Sequence, residues 1–219
     1  MTTRDYVIDI ETYGNEEMIK YLPEVEASKT LKDPDKIARD IEEKKQEQID
    51  KMALSPLYGK IACIGIYSQD YQDVLFGTEE EILTKYFKIT QDKNIITYNG
   101  INFDIPFIYK RSCVYGIRDI ADMKPMVAKF NNKNHIDIMQ EFCEYGKYEK
   151  LNTLAKIYLG EEKKDFDVKL IKDLIATEDG RKQLKEYCLQ DVALTYKLAV
   201  KFGYITELKF NKEDDNIIF

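Results

Sequence analysis

The chain has 219 residues, 44% hydrophobic and 33% charged, enough to bury one sizeable core and ordinary for a globular protein. Its formal net charge of −7 excludes a general nucleic-acid coating protein, which carries a basic footprint, but not an enzyme that meets nucleic acid at one metal-loaded cleft. One histidine, His135, excludes a histidine-rich metal site, and no apolar run approaches the length of a membrane span.

The start, Met1 to Asp5, runs straight into an expected strand, so no signal peptide is visible. Cys63, Cys113, Cys143 and Cys188 are far apart and form no C-x-x-C pair. That spacing argues against zinc and against a disulfide framework, and suits a reducing, cytoplasmic compartment. Any metal site is therefore expected to be built of carboxylates.

Tyr6-Val7-Ile8-Asp9-Ile10-Glu11-Thr12 predicts a β-branched strand. Alternation puts Val7, Asp9 and Glu11 on one face and Ile8 and Ile10 on the other. Two acids side by side on a buried strand repel one another and resist desolvation. A divalent cation between them removes both objections; an acidic strand end facing water is the plainer alternative. Residues 14–57 then interrupt the pattern. Asp33 is placed to cap a charged helix over about 35–53 with Pro34 at its first position, and Asp40–Lys44 and Glu47–Lys51 stand four apart. This segment reads as a helical insertion between the first two strands.

Further strands are expected over 60–68, 71–77, 95–98 and 135–138, and a helix over 78–89 opened by a Thr78/Glu81 capping box. A helix begins near Phe103, where Asn102 is placed to cap it. Residues 118–134 read as irregular. Beyond Met139 the pattern is helical to about Phe202, broken by a charged loop near 160–165. The tail 207–219 is expected to fray. The whole reads as one α/β domain, residues 1–219, on about five strands.

Two further groups carry acids. Asn99-Gly100-Ile101-Asn102-Phe103-Asp104 leaves a short buried strand and opens a helix, where the dipole favours the Asp104 charge. Tyr187-Cys188-Leu189-Gln190-Asp191 sets a phenol and a carboxylate four residues apart on one helix face. Alone, the first is a helix cap and the second a surface hydrogen bond.

Together, Asp9-x-Glu11-Thr12, Asn99-x-x-x-Phe103-Asp104 and Tyr187-x-x-x-Asp191 resemble, in order and spacing, the three motifs of DEDDy-type 3′–5′ exonucleases of the DnaQ-like, ribonuclease H-like superfamily. The stretch Tyr98–Pro106 most resembles proofreading domains of family-B DNA polymerases, and His135–Met139 and Leu151–Ala155 follow their stand-alone relatives. The resemblance implies a mixed five-stranded sheet flanked by helices, with one strand antiparallel. The insertion replaces the tight turn that usually joins the first two strands.

The same resemblance implies a metal-dependent 3′–5′ exonuclease acting on single-stranded DNA by a two-metal mechanism with Mg2+ or Mn2+. Asp9, Glu11, Asp104 and Asp191 would hold the ions and Tyr187 would orient the attacking water. Thr12, Asn99 and Phe103 would line the pocket for the terminal nucleotide. His135 is expected to be structural. An exoribonuclease, a nucleotide phosphodiesterase and a catalytically silent nucleic-acid- or polymerase-binding module are the rivals. No polymerase domain is visible, so proofreading would occur in trans beside a separate DNA polymerase. No membrane partner is expected.

Overall fold

The structure, a computed structural model, describes residues 5–117 and 134–206. The first strand, β1 (Asp5–Gly14), is the middle of a sheet completed by β2 (Gly59–Tyr67), β3 (Gln72–Leu75), β4 (Asn94–Thr97) and β5 (His135–Asp137). Their order is β3-β2-β1-β4-β5. β2 runs antiparallel to β1 and β3, while β4 and β5 run parallel to β1. A mixed five-stranded sheet flanked by helices is thus the architecture, with β2 the one reversed strand.

Alternation along β1 divides the core. Ile8 and Ile10 face α2 (Glu79–Thr90) and α3 (Asp104–Tyr115), packing with Ile82, Leu83, Tyr86, Phe107 and Ile108. Val7 faces the other way, onto Val192 and Ala199 of the long helix α7 (Glu178–Lys201). Asp9 and Glu11 share that second face. Gly65 of β2 lets α7 approach closely, because a Cβ there would stand 2.6 Å from Cys188 Sγ. The register slips once: Glu11 pairs with Cys63 but Thr12 with Ile61, leaving Ala62 as the extra residue of a bulge beside the acids.

The capping box at Thr78 and Glu81 is formed as expected. The insertion contains a 3-10 turn (Glu16–Tyr21) and α1 (Pro34–Asp50), capped by Asp33 through the Asp35 and Lys36 amides. Two expectations need correction. Asn102 does not cap α3; its side-chain amide donates to Asn99 Oδ1 instead, and Phe103 occupies the cap position without a side-chain bond. Nor is the chain helical from 139 to 202. It holds short helices α4 (Ile138–Phe142), α5 (Leu151–Leu154) and α6 (Ile171–Ile175), with a π-turn at Ala155–Leu159. Extended backbone at Cys143 ends α4, and Gly160, at φ 69°, ends the π-turn in a left-handed cap that a side chain resists. The expected irregular stretch at 118–133 and the tail at 207–219 lie outside the described residues. No described helix is long and apolar enough to cross a membrane.

Candidate active site

Four carboxylates from three elements gather beside the middle of β1. Asp9 and Glu11 come from β1, Asp104 from the first position of α3, and Asp191 from the middle of α7. Asp104 reaches β1 directly: its Oδ1 accepts the Ile10 amide at 3.0 Å. Glu11, Asp104 and Asp191 are buried, and Asp9 is half-buried. Burial pushes every one of these groups toward its neutral form, and repulsion within the cluster adds to it at Asp9 and Glu11. Asp9 is raised well above the carboxylate range by burial, then by Asp104 and Asp191. Glu11 is raised likewise, by burial, then by Asp9 and Asp191. Burial lifts Asp104 to about 7, against the opposing Ile10 amide, and raises Asp191 despite the ammonium beside it.

That ammonium belongs to Lys163, which the sequence reading left in a charged loop. Its Nζ stands 2.5 Å from Asp191 Oδ2 and 4.6 Å from the centre of the Tyr187 ring. Gln190 fixes the loop on both sides of it, accepting from the Lys164 amide and donating to the Glu162 carbonyl, both at 3.1 Å. The Lys163 amide donates to Asn152 Oδ1 at 2.8 Å. Among the described residues Lys163 is the cation that acts on Asp9, Glu11 and Asp191, and Asp191 Oδ1 is buried with no hydrogen-bond partner. A carboxylate oxygen left so is a donor atom awaiting a cation. A set of hard oxygen donors held close by the fold against their mutual repulsion fits a divalent ion, so the residues present suit the metals that the resemblance implies.

Tyr187 lies between Lys163 and Phe166, whose ring stacks on it at 4.1 Å and 17°. Burial and the charges of Asp191, Glu11 and Asp9 drive its phenol far above the ordinary range, so it keeps its proton.

The nucleotide-pocket candidates are positioned by a residue that sequence reasoning missed. Asp137, at the end of β5, accepts the amides of Asn99 and Ile101 at 2.9 Å each while capping α4 through Met139 and Gln140. Asn99 takes a left-handed φ of 64°, and Gly100 packs on Thr97, where a Cβ would meet that side chain at 2.4 Å. This turn presents Asn99 and Phe103, both half-buried, ahead of Asp104. Thr12 is buried, and its hydroxyl donates to the Ala53 carbonyl at 2.7 Å, tying the end of the insertion to β1. The only sequence signal for Asp137 was its place before a short helical run; for Lys163 there was none beyond charge. His135 is buried beside Thr97 Oγ1 at 2.9 Å, and burial lowers it to about 4, consistent with a neutral packing role.

Cys188, absent from the expected donor set, lies beside the acids. Its Sγ, a carboxylate oxygen of Asp9 and one of Glu11 all fall within 4.8 Å of one another.

The fold is similar to that of the family B DNA polymerase from the hyperthermophilic archaeon Pyrobaculum calidifontis. The TM-score is 0.59 at 16% identity, over 92% of this chain and 25% of that one. In sequence the chain is 27% identical over 154 residues to the DNA polymerase of Thermococcus litoralis, covering 60% of this chain and 9% of that protein. It is 27% identical over 179 residues to the DNA polymerase delta catalytic subunit of Schizosaccharomyces pombe, covering 67% and 16%. The chain therefore spans a small part of these relatives. Residues 60–217 match the family described as a predicted 3′–5′ exonuclease related to the exonuclease domain of PolB; the match holds Asp104, Tyr187 and Asp191, with Asp9 and Glu11 preceding it. The chain belongs to that family of PolB-related exonucleases.

Proposed function

We propose that the protein is a metal-dependent 3′–5′ exonuclease that removes nucleotides one at a time from the 3′ end of single-stranded DNA. The observation that carries this reading is the convergence of Asp9, Glu11, Asp104 and Asp191 in a cluster that, among the described residues, holds one lysine and one orphaned carboxylate oxygen. Family membership supports the same chemistry. Asp9, Glu11, Asp104 and Asp191 would hold two Mg2+ or Mn2+ ions, which supply Lewis-acid stabilisation of the charge developing at phosphorus and on the leaving oxygen.

The chain's own residues do the rest. The Tyr187 phenol, fixed between Phe166 and Lys163, keeps its proton at neutral pH. It therefore orients a water by hydrogen bonding and does not take its proton. Lys163 offsets the charge of Asp191. The Asp137-braced turn offers Asn99 and Phe103 to the terminal nucleotide, Phe103 as a stacking surface for its base. Thr12 borders the same pocket. Residues 1–219 act as one exonuclease domain carrying the 14–57 insertion. Four free thiols suit a reducing cytoplasm. A separate polymerase would supply the 3′ ends to be edited.

The test is digestion of 5′-labelled single-stranded DNA and RNA oligomers with Mg2+ or Mn2+, beside the D9A and D191A proteins. A ladder shortening from the 3′ end on DNA, absent in both variants, is expected. No metal-dependent product from either polymer would overturn the reading; a ladder on RNA alone would move it to an exoribonuclease.

A further inference from the structure

Sulfur enters the carboxylate cluster from beneath. Cys188 stands three residues before Asp191 on α7, so both side chains leave neighbouring positions on one helix face. Its thiol is fully buried, and Gly65 of β2 lies so close below it that no other residue fits there. Cys63, opposite Glu11 in the β1–β2 register, is buried as well. The sulfur is therefore fixed, with a carboxylate oxygen of Asp9 and one of Glu11 within 4.8 Å. A separate observation on a neighbouring side chain also points to a cation. Asp191, 4% exposed, has a buried Oδ1 without a hydrogen-bond partner, and its charge acts on both Asp9 and Glu11.

We infer that Asp9, Glu11 and Cys188 form a site for a thiophilic divalent cation of the Zn2+ or Cd2+ class, overlapping the site proposed for Mg2+ or Mn2+. Hard ions take the oxygens and gain nothing from sulfur; Zn2+ and Cd2+ bind thiolate strongly and accept mixed oxygen–sulfur sets. Two carboxylates and one thiolate fill three of the four positions that Zn2+ prefers, leaving the fourth for water. Binding forms a metal–sulfur bond, breaks the Cys188 S–H bond and releases its proton to solvent. No electron is transferred. The overlap makes such an ion a blocker of the exonuclease. That consequence rests on the function proposed above, whereas the binding itself does not.

The experiment uses the full chain with C113S and C143S replacements, which remove the thiols nearer the surface. Cd2+ is titrated while thiolate-to-cadmium charge-transfer absorption and the cadmium NMR shift are recorded. One saturating sulfur-type signal is expected, lost in C188S and C188A and in the D9N/E11Q pair, and kept in C63A. A signal lost in C63A but kept in C188A would overturn the assignment. So would a cadmium shift typical of oxygen ligands alone, which reads the unaltered core and needs no Cys188 variant to fold. Digestion with Mg2+ is measured on the same protein preparations before any Cd2+ is added. Digestion without the sulfur signal sinks this inference alone, and the sulfur signal without digestion sinks the exonuclease reading alone.

Discussion

Glu79 and Asp191 are both buried acids, 7% and 4% exposed, and their surroundings could hardly differ more. Glu79, at the start of α2, receives Arg111 in a two-pronged contact at 2.9 and 2.6 Å, the Tyr115 hydroxyl at 2.8 Å and the Ile61 amide at 2.8 Å. Both of its oxygens are saturated, and it stands in for the missing strand beyond the edge of β2. Asp191 has Lys163 on Oδ2 and the Tyr187 phenol beside it, but its Oδ1 has no hydrogen-bond partner among the described residues, and Asp9 and Glu11 carry like charge close by. The first arrangement is complete as folded. The second is under-neutralised, and that deficit is what a bound cation supplies. Buried charge that is fully paired holds a fold together; buried charge that is held unpaired is kept for binding.

The sharpest way to break this contrast is to delete acids on each side of it. D9A and D191A are expected to lower oligonucleotide digestion by about a thousandfold or more. D9N should melt no lower than the wild type without metal, because it removes repulsion. A large loss of melting temperature in D9N would show that these acids are structural after all. On the other side, R111M leaves Glu79 charged and buried, and should cost about 3–5 kcal/mol of stability. Urea unfolding of R111M measures it, and an unchanged midpoint would show the Glu79 network to be idle.

Acidity tests the same deficit. Asp104, raised to about 7, favours the folded state most when protonated. Its contribution is fully present below the unfolded value near 4 and is lost as pH rises through about 7. Through Asp104 the metal-free protein should therefore lose up to about 4 kcal/mol across that interval, at 1.36 kcal/mol per unit. His135, lowered to about 4, works in the opposite direction between about pH 4 and 6.5 and offsets most of that loss in the whole protein, so the Asp104 part is read as the difference between wild type and D104N at each pH. Thermal melts of both proteins at several pH values check this, and saturating Mg2+ should flatten that difference. The smallest effect is expected at Tyr187. Y187F should lower kcat by about tenfold to a hundredfold, at or below the low end of general acid–base losses, with Mg2+ affinity kept. A new acid limb in its pH–rate profile would contradict an orienting role.

How much of this was legible beforehand differs from residue to residue. The alternation of β1 put Asp9 and Glu11 on one face because strand geometry leaves no choice, and the four-residue spacing of Tyr187 and Asp191 did the same on α7. Asp104 was legible as a helix start, although its neighbour Asn102 bonds Asn99 and does not cap. Lys163, Asp137 and Gln190 were invisible as site residues. Each acts across a long gap in sequence, and nothing local in a lysine or aspartate says which distant carboxylate or amide it will meet. The run after Met139 departs from expectation for a related reason: its apolar spacing suits helix, but extended backbone at Cys143 and the left-handed Gly160 end its pieces early.

By itself, then, the sequence determined the periodic features: strands, the capping box, the faces on which acids stand, and an order of motifs that marks the exonuclease family. Those follow from local geometry and from residues within a few positions of one another. Only the tertiary structure decided what the acids are surrounded by. Among the described residues it set one lysine against the carboxylate cluster, tied Thr12 to the insertion and braced the Asn99 turn from β5. It also carried a buried thiol into a cluster expected to hold oxygen alone. Charge balance and donor chemistry depend on which distant segments pack together, and packing is a property of the whole chain.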